Sequence, residues 1–202
     1  MSRSRTSPSP PNSTSERAAK LLSDATRLPL VALPLFLVVG YAAAGAAGLL
    51  WAGLCILLTS GLSLVYLAYL LRSGRVRDAK RISQQERRWP LWVVCGLHVF
   101  GWLVVTLLAA PMELRAVLLS YALATAAFAL LTPVTKISLH AAGVSGAAVC
   151  LAFVFGWWSA PVFALLPLVW WSRLELGRHT PPELALGTLV GGGFTLLAFS
   201  VV

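Results

Sequence analysis

The stretch that decides the fold is an uncharged run from Leu28 to Leu71, LPLVALPLFLVVGYAAAGAAGLLWAGLCILLTSGLSLVYLAYLL. It contains 44 residues, whereas a single helix needs only about 20 apolar residues to cross a bilayer. The run therefore predicts two membrane spans, near 28–47 and 49–71. We expect the small-residue segment Ala42–Gly48 to form the turn between them.

The composition extends this prediction to most of the chain. Of its 202 residues, 58% are hydrophobic and only 11% are charged, whereas soluble domains carry about 25% charged residues. Helices satisfy their own backbone hydrogen bonds in hydrocarbon. We therefore expect an all-α, polytopic transmembrane bundle over residues 28–202. The further apolar runs end near Ala110, Leu131, Trp157, Trp171 and Val202, which makes about seven spans.

The N-terminal segment, residues 1–27, has a different composition. It is rich in Ser, Pro, Thr and Arg, with almost nothing apolar before Leu21. Such a segment cannot bury enough apolar surface to offset the entropy cost of ordering. We expect it to be a disordered basic tail.

The basic residues indicate the orientation of the bundle. With seven spans, fifteen of the sixteen Lys and Arg residues fall on the side of the N-terminus, and Arg115 alone falls on the other. Cytoplasmic loops carry such an excess, so the N-terminus is predicted to be cytoplasmic. Because these residues are interleaved with spans and form no single basic face, we expect no nucleic-acid partner despite the formal charge of +9.

Several residues inside the apolar runs are predicted to have packing roles. Cys55, Cys95 and Cys150 have no metal-type spacing, so we expect them to be free and buried. His98 lies within the third span and is expected to be packed or hydrogen-bonded between helices. Gly191–Gly193 in the last span is expected to allow close helix packing.

The most informative polar segment is S-R-L-E-L-G-R-H-T-P-P-E-L-A-L-G, from Ser172 to Gly187, between the last two apolar runs. Charge in such a place is usually retained for function. His179 could act as a nucleophile, with Arg173 and Ser172 binding phosphoryl oxygens. Glu183 could orient the imidazole through one nitrogen.

Glu183 also has a second interpretation. Thr180-Pro-Pro-Glu183 has the pattern of a capping box, with proline at the first helical position. It would start the last helix without any catalysis, and both roles can hold together.

The spacing Ser172-Arg173, five residues, His179, three residues, Glu183 is similar to S-R-x5-H-x3-D. This is the third signature of the type 2 phosphatidic acid phosphatase (PAP2) superfamily, and Glu183 stands where the family has Asp. The resemblance implies a helical membrane phosphatase that works through a phosphohistidine without a metal or other cofactor. The chain has only two aspartates, Asp24 and Asp78, so no Asp-rich magnesium site is expected.

Lys136-x-Ser138-x-His140 resembles the family's second signature, P-S-G-H, although Ile137 and Leu139 replace its proline and glycine. The resemblance implies that His140 protonates the leaving group and that Ser138 donates a hydrogen bond to the phosphoryl oxygens. Lys136 would add a cation.

Lys80, six residues, then Arg87 resembles the first signature, K-x6-R-P, without its proline. Arg81 and Arg88 have the same spacing, and either pair could contact one anion. The alternative is a juxtamembrane basic cluster that binds anionic lipid headgroups.

Together these segments predict a metal-independent phosphatase of a membrane lipid phosphate, of the prenyl or phosphatidate type, with its site at the cytoplasmic face. We expect it in the plasma membrane, with an organelle membrane as the alternative. Two other functions stay open. One is a non-catalytic lipid-phosphate binder or carrier on the same fold. The other is a prenyl or phosphatidyl transferase, which the low aspartate count disfavours.

Overall fold

The computed structural model describes residues 13–76 and 84–202, and these two ranges contain helices and no β-strand. A π-helical turn, Leu57–Gly61, and a 3-10 segment, Gly156–Ala164, interrupt the α-helices. In order, the α-helices of the described chain are α1 (Thr14–Ala25), α2 (Leu28–Ile56), α3 (Leu62–Arg72), α4 (Gln84–Leu107), α5 (Met112–Leu131), α6 (Leu139–Phe155), α7 (Leu165–Glu175) and α8 (Pro181–Val201).

Five stretches of the described residues are helical, long enough and apolar enough to cross a membrane. This finding confirms the prediction of an all-α, multi-pass membrane protein. The stretches are Leu30–Arg72, Arg88–Leu107, Met112–Leu131, Leu139–Glu175 and Pro181–Val201.

The two longest stretches each contain a sharp backbone break. In the first, Gly45 has φ 58° and ψ −137°, inside the segment predicted to be a turn. The chain folds back there so tightly that a Cβ at Gly48 would lie 1.7 Å from the carbonyl oxygen of Gly40. In the second, Gly156 has φ 59° where α6 meets the 3-10 segment. Glycine suits both positions because positive φ costs it little.

Helices α6 and α8 are in close contact through glycines of α8. A Cβ at Gly191 would lie 2.0 Å from the carbonyl oxygen of Ala142, and one at Gly187 would lie 2.5 Å from that of Ser138. The predicted packing role is confirmed for Gly191. It is wrong for Gly193, where a Cβ would meet nothing within 4 Å, because that residue faces away from α6. These contacts fix the N-terminus of α6 against the first turns of α8.

The packing roles predicted for the cysteines and for His98 inside the apolar runs are confirmed. The three cysteines are free and buried. His98, on α4, is buried, and its Nδ1 lies 3.2 Å from Oγ1 of Thr125 on α5. This imidazole therefore links two helices of the bundle.

The prediction of a disordered tail is wrong for Thr14–Ala25, which form helix α1. Ser13 caps this helix, since its Oγ accepts a hydrogen bond from the Glu16 amide. Ala19 and Ser23 are buried where α1 packs on α7. Two small side chains one turn apart thus allow a short helix to pack without a large apolar face. Residues 1–12 of the predicted tail lie outside the described part.

Candidate phosphate site

The polar segment of the sequence lies at one end of the bundle, where α7 ends and α8 begins. Gly177, with φ 57°, terminates α7, and its amide donates to the carbonyl of Leu174. Pro181 and Pro182 start α8 behind Thr180. The connection is only five residues long, 176–180, so it holds His179 directly between the two helix ends.

Glu183 makes both of the contacts considered for it. Its Oε2 lies 3.0 Å from Nδ1 of His179 and 3.1 Å from the amide nitrogen of Thr180, which donates to it. The same contact completes the capping box that starts α8. Since a carboxylate only accepts hydrogen bonds, Nδ1 of His179 is the donor. The neutral imidazole then carries its lone pair on Nε2.

Burial sets the protonation state of His179, whose side chain is only 5% exposed. Desolvation lowers the pKa of the imidazole from 6.5 to about 4, against the hydrogen bond to Glu183, which raises it. The charges of Arg173 and Lys136 add to the lowering. At neutral pH the ring is therefore uncharged, and Nε2 keeps its lone pair.

His140 is the second residue of α6, two positions after the cap residue Ser138. Its Nε2 is 3.1 Å from the backbone carbonyl oxygen of Ser23 on α1, so Nε2 is the donor. The charge of Arg173 acts on the imidazoles of both His140 and His179, and the two imidazoles also lie within electrostatic range of each other. The two predicted histidines therefore lie at the same end of the bundle, within electrostatic range of one guanidinium.

Arg173 and Ser172, the other residues of the pattern that resembles the third signature, both contact α1. Nη1 of Arg173 donates to Oγ of Ser23 at 2.6 Å, and Oγ of the fully buried Ser172 donates to the carbonyl of Ala19 at 2.7 Å. Two of the predicted phosphate-binding side chains thus donate hydrogen bonds to oxygen atoms of α1.

The residues that resemble the second signature make mainly structural contacts. Ser138 is fully buried, and its Oγ caps α6 by accepting from the amide of Ala141 at 3.4 Å. Its own amide donates to the carbonyl of Glu183 at 3.3 Å. Lys136 is exposed, and its Nζ donates to the carbonyl of Arg178 at 2.7 Å. Ser138 therefore joins α6 to α8. We call His140, Ser172, Arg173, His179 and Glu183 the cluster, and Lys136 lies at its exposed edge.

The contacts described above do not include the residues that resemble the first signature. Lys80 and Arg81 lie outside the described residues, and Arg87 is described only as part of the backbone of α4. Arg88, on the same helix, is exposed.

Sequence reasoning missed the contribution of α1, through Ala19 and Ser23. A signal for this helix was present in Ser13-Thr-Ser-Glu16, the pattern of a capping box, followed by the helix-favouring run Ala18 to Leu22. The composition of the flanking residues concealed it.

Within residues 13–76 and 84–202 there is no group of three or more His, Cys, Asp or Glu side chains that could hold a metal ion. The chain matches no family model, no curated protein and no solved structure in the comparisons made.

Proposed function

We propose that this protein is a metal-independent lipid phosphatase that works through a phosphohistidine on His179. The observation that carries the proposal is the pairing of a neutral, buried His179, oriented by Glu183, with the guanidinium of Arg173 and a second imidazole, His140. These are a nucleophile, an oxyanion ligand and an acid, the three groups that phosphoryl transfer to a side chain requires.

In the first step, Nε2 of His179 attacks phosphorus and the bond from phosphorus to the lipid oxygen breaks. The leaving oxygen takes a proton from His140, whose charged form is favoured by the anionic phosphate beside it. Glu183 stabilises the positive charge that develops on the attacking ring, while Arg173 balances the charge on the phosphoryl oxygens.

In the second step, the neutral His140 accepts a proton from water. The resulting hydroxide attacks the phosphoryl group, the phosphorus–nitrogen bond breaks, and its electron pair returns to His179. Inorganic phosphate leaves with Arg173 as its last cationic partner, and both imidazoles regain their starting protonation.

The proposal includes a topology of seven spans with a cytoplasmic N-terminus. The breaks at Gly45 and Gly156 divide each of the two longest apolar stretches into two segments. We propose that each segment is a separate membrane span. Five stretches then make seven crossings. With that count, the basic residues fall almost entirely on the side of the site, which supports a site at the cytoplasmic face.

The substrate is proposed to be a membrane lipid that reaches the site sideways from the bilayer. An open cavity of about 660 Å³ on α7 is lined by Pro167, Trp170, Trp171, Leu174 and Glu175. These residues belong to the same helix as Ser172 and Arg173, and we propose that an apolar chain in this groove leaves its headgroup at the C-terminal end of α7. A prenyl phosphate or diphosphate fits this arrangement, as does a phosphatidate, and we favour the prenyl class.

The test is phosphate release by purified protein in mixed micelles, from a panel of prenyl and glycerolipid phosphates, with EDTA present. We expect release that orthovanadate inhibits and that EDTA does not. His179→Ala should abolish it, while His98→Gln, a matched change of a histidine elsewhere in the bundle, should retain it. Release that survives in His179→Ala would refute the assignment.

One observation favours a second candidate, a lipid-phosphate binder or carrier without turnover. Ile137, Leu139 and Glu183 depart from the signatures of the phosphatases that the chain resembles, and the hydroxyl of Ser138 caps α6. Saturable binding of a lipid phosphate without release of phosphate from any member of the panel would support this candidate.

A further inference from the structure

Helix α1 meets the cluster through three oxygen atoms, and each accepts a hydrogen bond from a different proposed site residue. Ser172 donates to the Ala19 carbonyl, Arg173 to the Ser23 hydroxyl, and His140 to the Ser23 carbonyl. Ala19 and Ser23 are four residues apart, so they lie on one face of the helix. This face presents a compact set of oxygen acceptors to the donors that would hold a phosphate.

The end of α1 that makes this contact also carries partial negative charge, as a bound phosphate would. Ser23 belongs to the last turn of α1, whose carbonyls have no donor within the helix. The C-terminal end of a helix carries partial negative charge. That end lies beside Arg173 and His140, where the negative charge of a phosphate would be stabilised.

The attachment of α1 to the rest of the protein is slight. Its buried residues are the small Ala19 and Ser23, whereas Leu21 is 72% exposed. Neither apolar cluster of the described residues includes a side chain of α1. A further hydrogen bond joins Ser15 to Glu175 on α7. Helix α1 can therefore leave the site without breaking the core of the bundle.

We propose that α1 is an autoinhibitory plug that occupies the place of the substrate phosphate and must be displaced before catalysis. The inference rests on the proposed phosphate site. It adds that the resting protein is closed and that phosphate and α1 compete for the same three donors. If α1 instead served to orient His140 and Arg173, phosphate binding would hold it more firmly.

Hydrogen exchange of the full-length protein in micelles separates these two roles, with inorganic phosphate as the probe. We expect phosphate to accelerate amide exchange in Thr14–Ala25 and to leave α5, in the bundle core, unchanged. Slower or unaltered exchange in α1 would overturn the plug. This readout requires no turnover.

A matched pair of variants tests the consequence for activity. Ala19→Arg places a bulky cation in the buried contact between α1 and α7 and should release α1, whereas Ala18→Arg adds the same charge on the exposed side of the helix. We expect α1 to exchange rapidly without phosphate in Ala19→Arg only, and phosphate release to rise several-fold in that variant. Slower release in Ala19→Arg than in Ala18→Arg would contradict the plug. If α1 responds to phosphate but no variant releases phosphate from lipids, the plug stands and the phosphatase assignment fails.

Discussion

The two imidazoles of the cluster are held in opposite ways. His179 is bonded to Glu183, four residues further along the chain, and this carboxylate is itself fixed as part of the cap of α8. His140 is bonded to the backbone of Ser23, 117 residues earlier, on a lightly attached helix. The proposed nucleophile is therefore oriented by the bundle itself, whereas the proposed acid is bonded to a helix that we propose can leave the site.

The sharpest test of this difference is to remove each ring in turn. His179→Ala should lower phosphate release by about 10⁴-fold or more, because the nucleophile is lost. His140→Ala should lower it by about 10²- to 10⁴-fold, the usual contribution of a general acid. Both rates are measured with a lipid alcohol and with a phenol as the leaving group.

The leaving group distinguishes the two roles. A phenol needs little protonation, so it should recover much of the loss in His140→Ala and none of it in His179→Ala. Equal losses of His140→Ala with the two leaving groups would contradict its role as the acid.

A smaller effect is expected at Glu183, where orientation and capping can be separated. Glu183→Gln keeps an oxygen for both the His179 ring and the Thr180 amide but removes the charge, so phosphate release should fall by about 10²-fold with little change in the melting temperature. Glu183→Ala should lose activity to at least the same degree and also about 1 kcal/mol of stability through the lost cap. If Glu183→Gln released phosphate as fast as the unchanged protein, the only role of Glu183 would be to cap α8.

The smallest expected effect is a lowered titration midpoint of the His179 imidazole. Because burial lowers the pKa of His179 to about 4, the ring should stay neutral as the pH falls below 6.5. The folded state disfavours this proton, so the free energy of unfolding is unaffected above about pH 6.5 and decreases as the pH falls from there toward 4.

Nuclear magnetic resonance of ¹⁵N-histidine-labelled protein in micelles measures the midpoint, with His98→Gln and His140→Gln to assign the signals. Glu183→Ala should lower the midpoint further, since its hydrogen bond raises the pKa. A midpoint at or above 6.5 for His179 would contradict a neutral nucleophile.

The sequence predicted those parts of the molecule that depend on neighbouring residues. The turn near Gly45, the membrane class, and the contact of His179 with Glu183 each follow from a local pattern: an uncharged run that is too long for one span, hydropathy, and a spacing of four residues at a helix start. The capping box turns the Glu183 side chain back toward the cap residue Thr180, and so toward the adjacent His179, whatever the rest of the chain does.

The contacts of α1 could not be predicted in this way. Nothing in the local sequence of Ser23 indicates that its carbonyl meets His140, because this contact depends on how α1 packs on α7. The role predicted for Ser138 illustrates the same limit. Its hydroxyl caps α6 as an acceptor, a contact that the spacing to His140 did not predict, and its role as a hydrogen-bond donor to phosphate stays a prediction.

The central claim is that His179 is the nucleophile, and the most direct measurement is to trap its covalent intermediate. Purified protein mixed with a lipid phosphate in EDTA is quenched with alkali within one turnover, digested, and examined by mass spectrometry. We predict a phosphoryl group on the peptide that contains His179, and none on the corresponding peptide of His179→Ala. Release of phosphate with no phosphorylated histidine, or with the group on another residue, would contradict the account.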